Sequence, residues 1–439
     1  MAASLTRRQA LGAIYVPAVA WPLGCRSSPP ALRGDALERI ADLGAVRGAP
    51  DAIAEDEDFW RVVQESFTAD RSMVNLNNGG VCPSPAVVQA AMKRYLDHAN
   101  TAPAYVLWKL QEPQKETVRT GLAALFGCDR EEIAITRNAS ESLENVQQGL
   151  DLEKGDEVLT TSQDYPRMIT TWRQRERRDG IALKQVKIPV PCEDPIAIVR
   201  AFEAGITSRT KVLHMCHVVN LTGQVLPVKL VVAMARSKGI PVIVDGAHSF
   251  AHLDFKHEEL DCDYYGTSLH KFLFAPHGTG MLFVRREKIE KLWPLMPAPV
   301  EMDKDIRKFE EIGTHPAANF LAIADALTFH LGIGPKRKEA RQIFLRDRWA
   351  KRLASQPRFK LHTSLKPGFA TGVANVEIEG IDPAKLADHL WEKERIFTVA
   401  IKHEEFQGIR VSPAVYTTLA EVDRFADAME RIAKAGLQP

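Results

Sequence analysis

Cysteine is scarce in this 439-residue chain. Its six thiols, Cys25, Cys82, Cys128, Cys192, Cys216 and Cys262, lie singly, without a CxxC pair or a metal-ligand rhythm, so neither a zinc site nor a dense disulfide framework is signalled. The nearest approach to a ligand cluster, "HMCH" at His214–His217, has no second half. Excess charge is missing too: 57 Lys and Arg against 56 Asp and Glu leave a formal charge of +1, which gives no footprint for nucleic acid or an anionic surface. No apolar run after residue 25 is long enough to span a bilayer. No GxGxxG follows a first strand, which removes the usual pyrophosphate cradle of a nicotinamide enzyme. Internal repeats and low-complexity tracts are absent. What is present, 45% hydrophobic and 26% charged residues, suits a large core, two domains and a small-molecule ligand.

Residues 1–25 stand apart. "MAASLTRRQALGAIYVPAVAWPLGC" pairs Arg7 with Arg8, continues into a mildly apolar stretch without acidic residues and ends in small residues before Cys25. That is the layout of a bacterial export signal of the twin-arginine type, with Ala10 where a large apolar residue is usual. "PLGC" resembles a lipoprotein cleavage box, with Pro22 where a leucine is expected. The expectation is export of a folded protein, with lipid anchoring or an untidy N-terminal tail as alternatives; without a signal the protein stays in the cytoplasm. Residues 26–55, rich in Ser, Pro, Ala and Gly, read as a linker with one short helix around 35–43.

From residue 56 the pattern settles. "EEIAIT", "DEVLTT", "TKVLHMCHV", "IPVIVD" and "GMLFVRR" are short apolar, β-branched runs, and helix-length segments at 166–178, 195–204 and 228–238 lie among them. This alternation predicts an α/β domain over 56–315, a largely parallel sheet with helices on both faces. From residue 316 the order changes. A helical stretch at 319–331 continues through the charged "PKRKEARQIFLRDRWAKRLA", and "GVANVEIEG", "IFTVAI" and "GIRVSP" then alternate with helices at 383–394 and 419–435. A smaller α+β domain over 316–439 is predicted.

Ligands of open α/β sheets sit at the carboxyl ends of the strands. "PVIVDGAHS" ends a strand on Asp245, with His248 three residues on, and "GTSLHKFLF" places Lys271 behind Ser268 and His270 and ahead of apolar residues. An ammonium heading inside is costly unless it is paired or chemically used. A carboxylate at one strand end and a lysine after the next element are what a pyridoxal phosphate site needs: the lysine forms the Schiff base and the carboxylate keeps the ring nitrogen protonated. "TRNASESLENVQQGL" follows a strand and opens a helix, so the amides of Ala139 and Ser140 and the Ser140 hydroxyl point at an anion; an ordinary N-cap is the alternative.

With Asp245 upstream, "TSLHK" resembles the class V aminotransferase family of fold-type I pyridoxal phosphate enzymes, in an isopenicillin N epimerase-like branch, over roughly residues 70–435. The resemblance implies the fold-type I architecture, with a mostly parallel seven-stranded sheet, pyridoxal phosphate as cofactor, and a homodimer with shared active sites. It implies that Ser268 and His270 join Ala139 and Ser140 around the phosphate, and that Thr314 in "GTHP" reaches the phosphate of the neighbouring subunit. Tyr165 in "SQDYPRM" would stack on the ring, Asn220 in "HVVNLTG" would bond the ring hydroxyl, and His248 would contact the ring. Arg410 in "GIRVSPAVYTT" would clamp an α-carboxylate, and Asn78 and Gly79 of "LNNGGVCPSP" would lie in an entrance loop near the substrate. Taken alone, Tyr165 reads as a loop residue, Asn220 as a turn residue and Arg410 as a salt-bridged one. Cys82, in the same loop, reads as a buried inert thiol in preference to a reactive one.

The resemblance also implies a common chemistry. Lys271, released when the substrate amine takes its place in the external aldimine, acts as acid and base on the α-proton, in epimerisation, transamination or β-elimination of an amino acid or peptide-like amine. A cysteine desulfurase or C–S lyase-like activity is the alternative; the persulfide mechanism of a desulfurase is disfavoured, because it needs a mobile thiol late in the chain and none follows Cys262. A non-catalytic exported binding protein on the same scaffold is the other class of function, and the intact Lys271 and Asp245 stand against it.

Overall fold

The computed structural model describes Ile40 and residues 42–437; the export signal read at 1–25 and most of the linker lie outside them. Seven strands form the large sheet: β1 (Ile133–Thr136), β2 (Glu157–Thr161), β3 (Ala182–Val186), β4 (Thr210–Cys216), β5 (Val242–Asp245), β6 (Tyr264–Ser268) and β7 (Gly280–Val284). Their order is β1-β7-β6-β5-β4-β2-β3. β7 runs antiparallel to both its neighbours and the remaining pairings are parallel. Alternate residues feed two separate cores. Leu213, Met215, Val242, Val244, Met281 and Phe283 face one of them, and Val212, Ile243, Leu282 and Val284 face the other. Because both faces are covered, these strands read as unbroken apolar runs.

The first face is covered by α1 (Ala86–Thr101), α2 (Lys115–Phe126) and the second by α3 (Ala139–Gly149) and α4 (Pro166–Asp179); α5 (Pro195–Gly205), α6 (Val228–Ser237) and α7 (Ile323–Ile333) return to the first. The small domain packs α8 (Pro335–Ala354), α9 (Pro383–Glu394) and α10 (Leu419–Ala435) on a four-stranded antiparallel sheet. Its strands are β8 (Phe359–Leu361), β9 (Ala374–Ile378), β10 (Val399–Lys402) and β11 (Gln407–Val411), in the order β10-β11-β9-β8. Among the described residues no single helix is long and apolar enough to cross a membrane.

Packing moves both expected domain boundaries. Phe320, Ile323, Ala326 and Leu327 lie in the core of the large sheet, so the chain leaves the large domain near Gly334 and not at 315. Residues 40–55 are not a free linker. Ile40, Leu43 and Ile53 join Trp60, Phe67, Phe274, Phe329 and Val415 in one buried cluster, and Trp60 Nε1 donates to the Ile53 carbonyl at 2.8 Å. A Ser/Pro/Ala/Gly-rich composition hid three apolar anchors.

The two domains meet along a seam at residues 219–225. Thr371 N donates to Gly223 O at 3.0 Å and Val225 N to Phe369 O at 2.9 Å. Thr363 Oγ1 donates to Thr222 O at 2.6 Å and Asn375 Nδ2 to Leu221 O at 3.3 Å. Gly223 sits at φ +74°, where an added Cβ would fall 2.0 Å from the Val373 carbonyl, so only glycine closes this seam.

Candidate active site

Cys216, Asp245 and Ser268 end the parallel strands β4, β5 and β6, and all three border a cavity of about 490 Å³. The same cavity is bordered by Ala139, Ser140, Tyr165, Asn220, His248, His270 and Lys271. Nine residues expected around a cofactor, from five separate stretches of chain, thus converge on one space at the place where α/β sheets bind ligands.

The anion end is built by α3. Asn138 caps the helix, accepting from Glu141 N at 2.9 Å, and Ser268 Oγ accepts from Ala139 N at 2.9 Å. The amide and hydroxyl of Ser140 have no partner among the described residues, so two donors at a helix N-terminus stay available to an anion. His270 Nδ1 donates to Thr279 O at 3.1 Å. Gly280 is what lets the Asn138 turn lie so close: a Cβ there would fall 2.6 Å from Asn138 N.

At the other end Asp245 is buried, one oxygen accepting from Ala247 N at 2.9 Å. Burial raises its carboxyl to about 6, against the Ala247 hydrogen bond and the attraction of Lys271. The chain turns away on Gly246, where a side chain would collide with the Tyr265 ring. Burial lowers the Lys271 ammonium to about 8, against the pull of Asp245, so the two groups sense each other across the cavity. Lys271 Nζ lies 3.0 Å from Nε2 of His248, and burial, aided by Lys271, holds the His248 ring well below the usual histidine range. The remaining ring nitrogen of His248 and the side-chain oxygen of Asn220 are buried without protein partners. Tyr165 is exposed at the head of α4.

Arg410, on β11, is buried beside the cavity. Nη1 donates to Asn220 O at 3.1 Å and Nη2 to Asn77 Oδ1 at 2.8 Å, while Nε has no protein partner. No carboxylate pairs with it among the described residues, so it is not the salt-bridged structural arginine. Burial pulls its guanidinium down to about 10.

Two expectations change, those for Asn78 and Gly79. Asn78 is wholly buried, and its amide is consumed by Asn75 O and Ser412 O as donor and by Tyr416 OH and Asn75 Nδ2 as acceptor. It holds the loop, while its neighbour Asn77, unmarked in the sequence, reaches Arg410. Gly79 has its amide on Ser412 Oγ, and a Cβ there would stand 3.1 Å from the His248 ring. Its part is to let His248 lie close, and Gly80 is the loop residue on the cavity wall. Thr314 is exposed and outside the cavity of its own chain. Cys82 is buried with its thiol raised to about 12 by desolvation, the inert state expected of it. His214 and His217 part company: Trp172 Nε1 bonds His214 Nδ1 at 3.0 Å, and His217 packs edge-on to Phe255.

Residues 74–425 match the model of the family described as aminotransferase class-V. The chain belongs to this family. It is 30% identical over 390 residues to an isopenicillin N epimerase of Streptomyces clavuligerus, covering 85% of this chain and 98% of that one. A cysteine desulfurase of Synechococcus elongatus is 26% identical over 459 residues, covering 98% and 70%. Among solved structures, the apo cysteine desulfurase of Thermococcus onnurineus NA1 superimposes with a TM-score of 0.75 at 23% identity, over 86% of this chain and 98% of that one, a likeness of fold. The protein is therefore an enzyme of the class V aminotransferase family, with that family's fold and its cofactor, pyridoxal phosphate. The cavity fits the group: unpaired donors of Ser140 at a helix N-terminus stand at one end, a buried acid at the other, and an amine between them.

Proposed function

We propose that the protein moves the α-proton of an amino acid or peptide-like amine, with epimerisation as the reaction it serves. The observation that carries this reading is the 3.0 Å contact between Lys271 Nζ and His248 Nε2. An amine drawn down to about 8, whose hydrogen bond is accepted by a neutral ring nitrogen, can take a proton and return it near neutral pH. Bound pyridoxal phosphate supplies the electron sink that makes the α-proton acidic. The chain's own groups do the rest. Asp245 places a carboxylate at the ring nitrogen, Asn220 and Tyr165 hold the ring in its plane, and Ala139, Ser140, Ser268 and His270 receive the phosphate. Arg410 takes the substrate carboxylate on its unpaired edge. Thr314, exposed and away from its own cavity, belongs to the neighbouring site of a homodimer. The protein is exported by the segment at 1–25.

β-Elimination and transamination start from the same proton transfer. Persulfide chemistry starts there too, and needs a thiolate nucleophile in addition. The cavity's thiol, Cys216, is buried and held well above the usual thiol range by desolvation and by Asp164 and Asp245, and no cysteine follows Cys262.

The test is an absorbance spectrum of protein loaded with pyridoxal phosphate, followed by mass spectrometry of an amino-acid panel in heavy water. A visible band lost in Lys271→Ala, with deuterium appearing at the α-carbon and the chirality scrambled, is the expected result. A band that survives Lys271→Ala removes the reading.

A further inference from the structure

Lys338 is an amine with no surface exposure and, among the described residues, no carboxylate partner, and burial lowers it to about 7. It stands in the first turns of α8, on a helix whose sequence reads as a solvated charged face. Its amine donates to the carbonyl of Phe272, meets His330 Nδ1 at 3.1 Å and lies 4.2 Å from the centre of the Phe274 ring. Burying such a group without an acid is costly, so the contacts it makes need a reason.

All of those contacts except His330 fall on the turn that follows Lys271. That turn is held against its own preference. Phe274 sits at φ +62°, a left-handed conformation that a bulky residue adopts only when its surroundings impose it. Phe274 N returns to Lys271 O at 3.2 Å and Ala275 N to Leu269 O at 3.1 Å, which closes the strained loop on the residue that carries the amine. From the other side His252 stacks on Phe272, with ring centres 3.8 Å apart. His252 accepts from Gly372 N of the small domain at Nε2 and so donates from Nδ1 to His248 O at 3.0 Å. Phe272 is thereby gripped twice, through its ring by His252 and through its carbonyl by Lys338.

We infer that Lys338 is a positioning residue for Lys271: its buried amine pins the Phe272 carbonyl and the Phe274 ring, and so fixes the strained turn that holds Nζ of Lys271 between His248 and Asp245. The inference rests on Lys271 being the residue to which the cofactor attaches. The groups that face Lys338 are His330, His252 and Cys82, and those that face Lys271 are His248, His270, Asp245, Arg410, Cys82 and Cys216. No carboxylate reports directly on Lys338, so a change at 338 reaches the Lys271 amine through the turn.

The experiment follows attachment of pyridoxal phosphate to the apo protein as a function of pH, by absorbance and by borohydride trapping with peptide mapping. Trapping on the Lys271 peptide in the wild type secures the underlying reading by itself; trapping elsewhere removes that reading and the inference with it, and is told apart from a failure at Lys338 because it shows in the wild type. Lys338→Met keeps the volume and removes the donor. Attachment about tenfold slower, with its pH midpoint moved by half a unit or more, is expected. Lys338→Gln keeps a donor and is expected to hold the wild-type midpoint. A merely structural lysine would lower the melting temperature of Lys338→Met and leave the midpoint where it was, which overturns the inference. Should Lys338→Met not fold, Lys338→Ser, polar but too short to reach the Phe272 carbonyl, takes its place: a displaced midpoint beside an unchanged one in Lys338→Gln supports the inference, and an unchanged midpoint in Lys338→Ser overturns it.

Discussion

Nζ of Lys271 and Nε2 of His248 lie 3.0 Å apart at the bottom of the cavity, and one of them must be the acceptor. His248 is neutral there, because burial and the neighbouring amine both oppose its charge. Its Nε2 therefore accepts from the lysine when Lys271 is charged, and can donate to it when the amine is bare. His248→Gln is expected to leave cofactor attachment intact and to slow α-proton exchange about 100-fold, the lower end of what a positioned base contributes. Deuterium incorporation measured alongside the visible spectrum separates the two effects; equal exchange rates in variant and wild type would remove His248 from the proton path.

Asp245 trades stability for chemistry. Its folded value of about 6 lies above that of an unfolded carboxyl, so the stabilising state is the protonated one, fully present below about pH 4 and lost as pH rises through 6. At pH 7 the charged acid costs the apo protein about 3 kcal/mol. Asp245→Asn should raise apo stability by roughly that amount at pH 7, and the gain should shrink toward nothing by pH 4. Urea unfolding of the cofactor-free protein at several pH values checks this; a gain independent of pH would mean the carboxyl does not titrate in the folded state.

His270 sets a proton account for cofactor binding. Only a protonated Nδ1 can bond the Thr279 carbonyl, so in the neutral ring Nε2 is bare, and burial keeps the ring neutral by lowering it to about 4. A phosphate dianion beside that nitrogen recruits a proton to it. Binding of pyridoxal phosphate near pH 7 should take up a proton that His270→Gln does not take up, and wild-type affinity should fall as pH rises. Calorimetry in buffers of different ionisation enthalpy reads this directly; equal uptake in both proteins would place the phosphate away from His270.

Arg410 is preset for a carboxylate. Asn77 and the Asn220 carbonyl fix two of its nitrogens and leave Nε unpaired. Arg410→Gln should raise KM for the substrate about 100-fold, the loss of a charge-assisted pair of roughly 3 kcal/mol, with cofactor affinity unchanged. Asn77→Ala, which only loosens the guanidinium, should give a smaller rise of about fivefold. Steady-state kinetics beside cofactor titration tests both, and a loss of cofactor binding in Arg410→Gln would reassign the residue.

The sequence disclosed the sheet because strands buried on both faces are written as plain apolar runs, and it disclosed Asp245, His248 and Lys271 because each follows such a run at a strand end. It concealed β6, whose "YYGTS" carries hydroxyls and a glycine; these are satisfied only in the fold, where the Tyr265 hydroxyl meets Ser249 Oγ at 2.9 Å. It also could not tell Asn77 from Asn78. Which of two adjacent asparagines faces Arg410 depends on the bridge between Asn77 and Ser412, a contact across more than 300 residues. Lys338 was hidden for a related reason: it stands among nine other charges on α8, and nothing in their pattern separates the buried Lys338, Arg341 and Arg346 from the rest.

The backbone seam at 219–225 ties the loop of Asn220 to strands of the small domain, and Arg410 is itself one of that domain's residues. A chimaera that exchanged everything beyond Gly334 for the corresponding part of a relative would therefore import a new carboxylate anchor and, with it, a new setting of the ring contact. In this architecture the cover and the lock are cut from one piece, so a change of substrate can be inherited through a segment that holds neither the amine nor the acid.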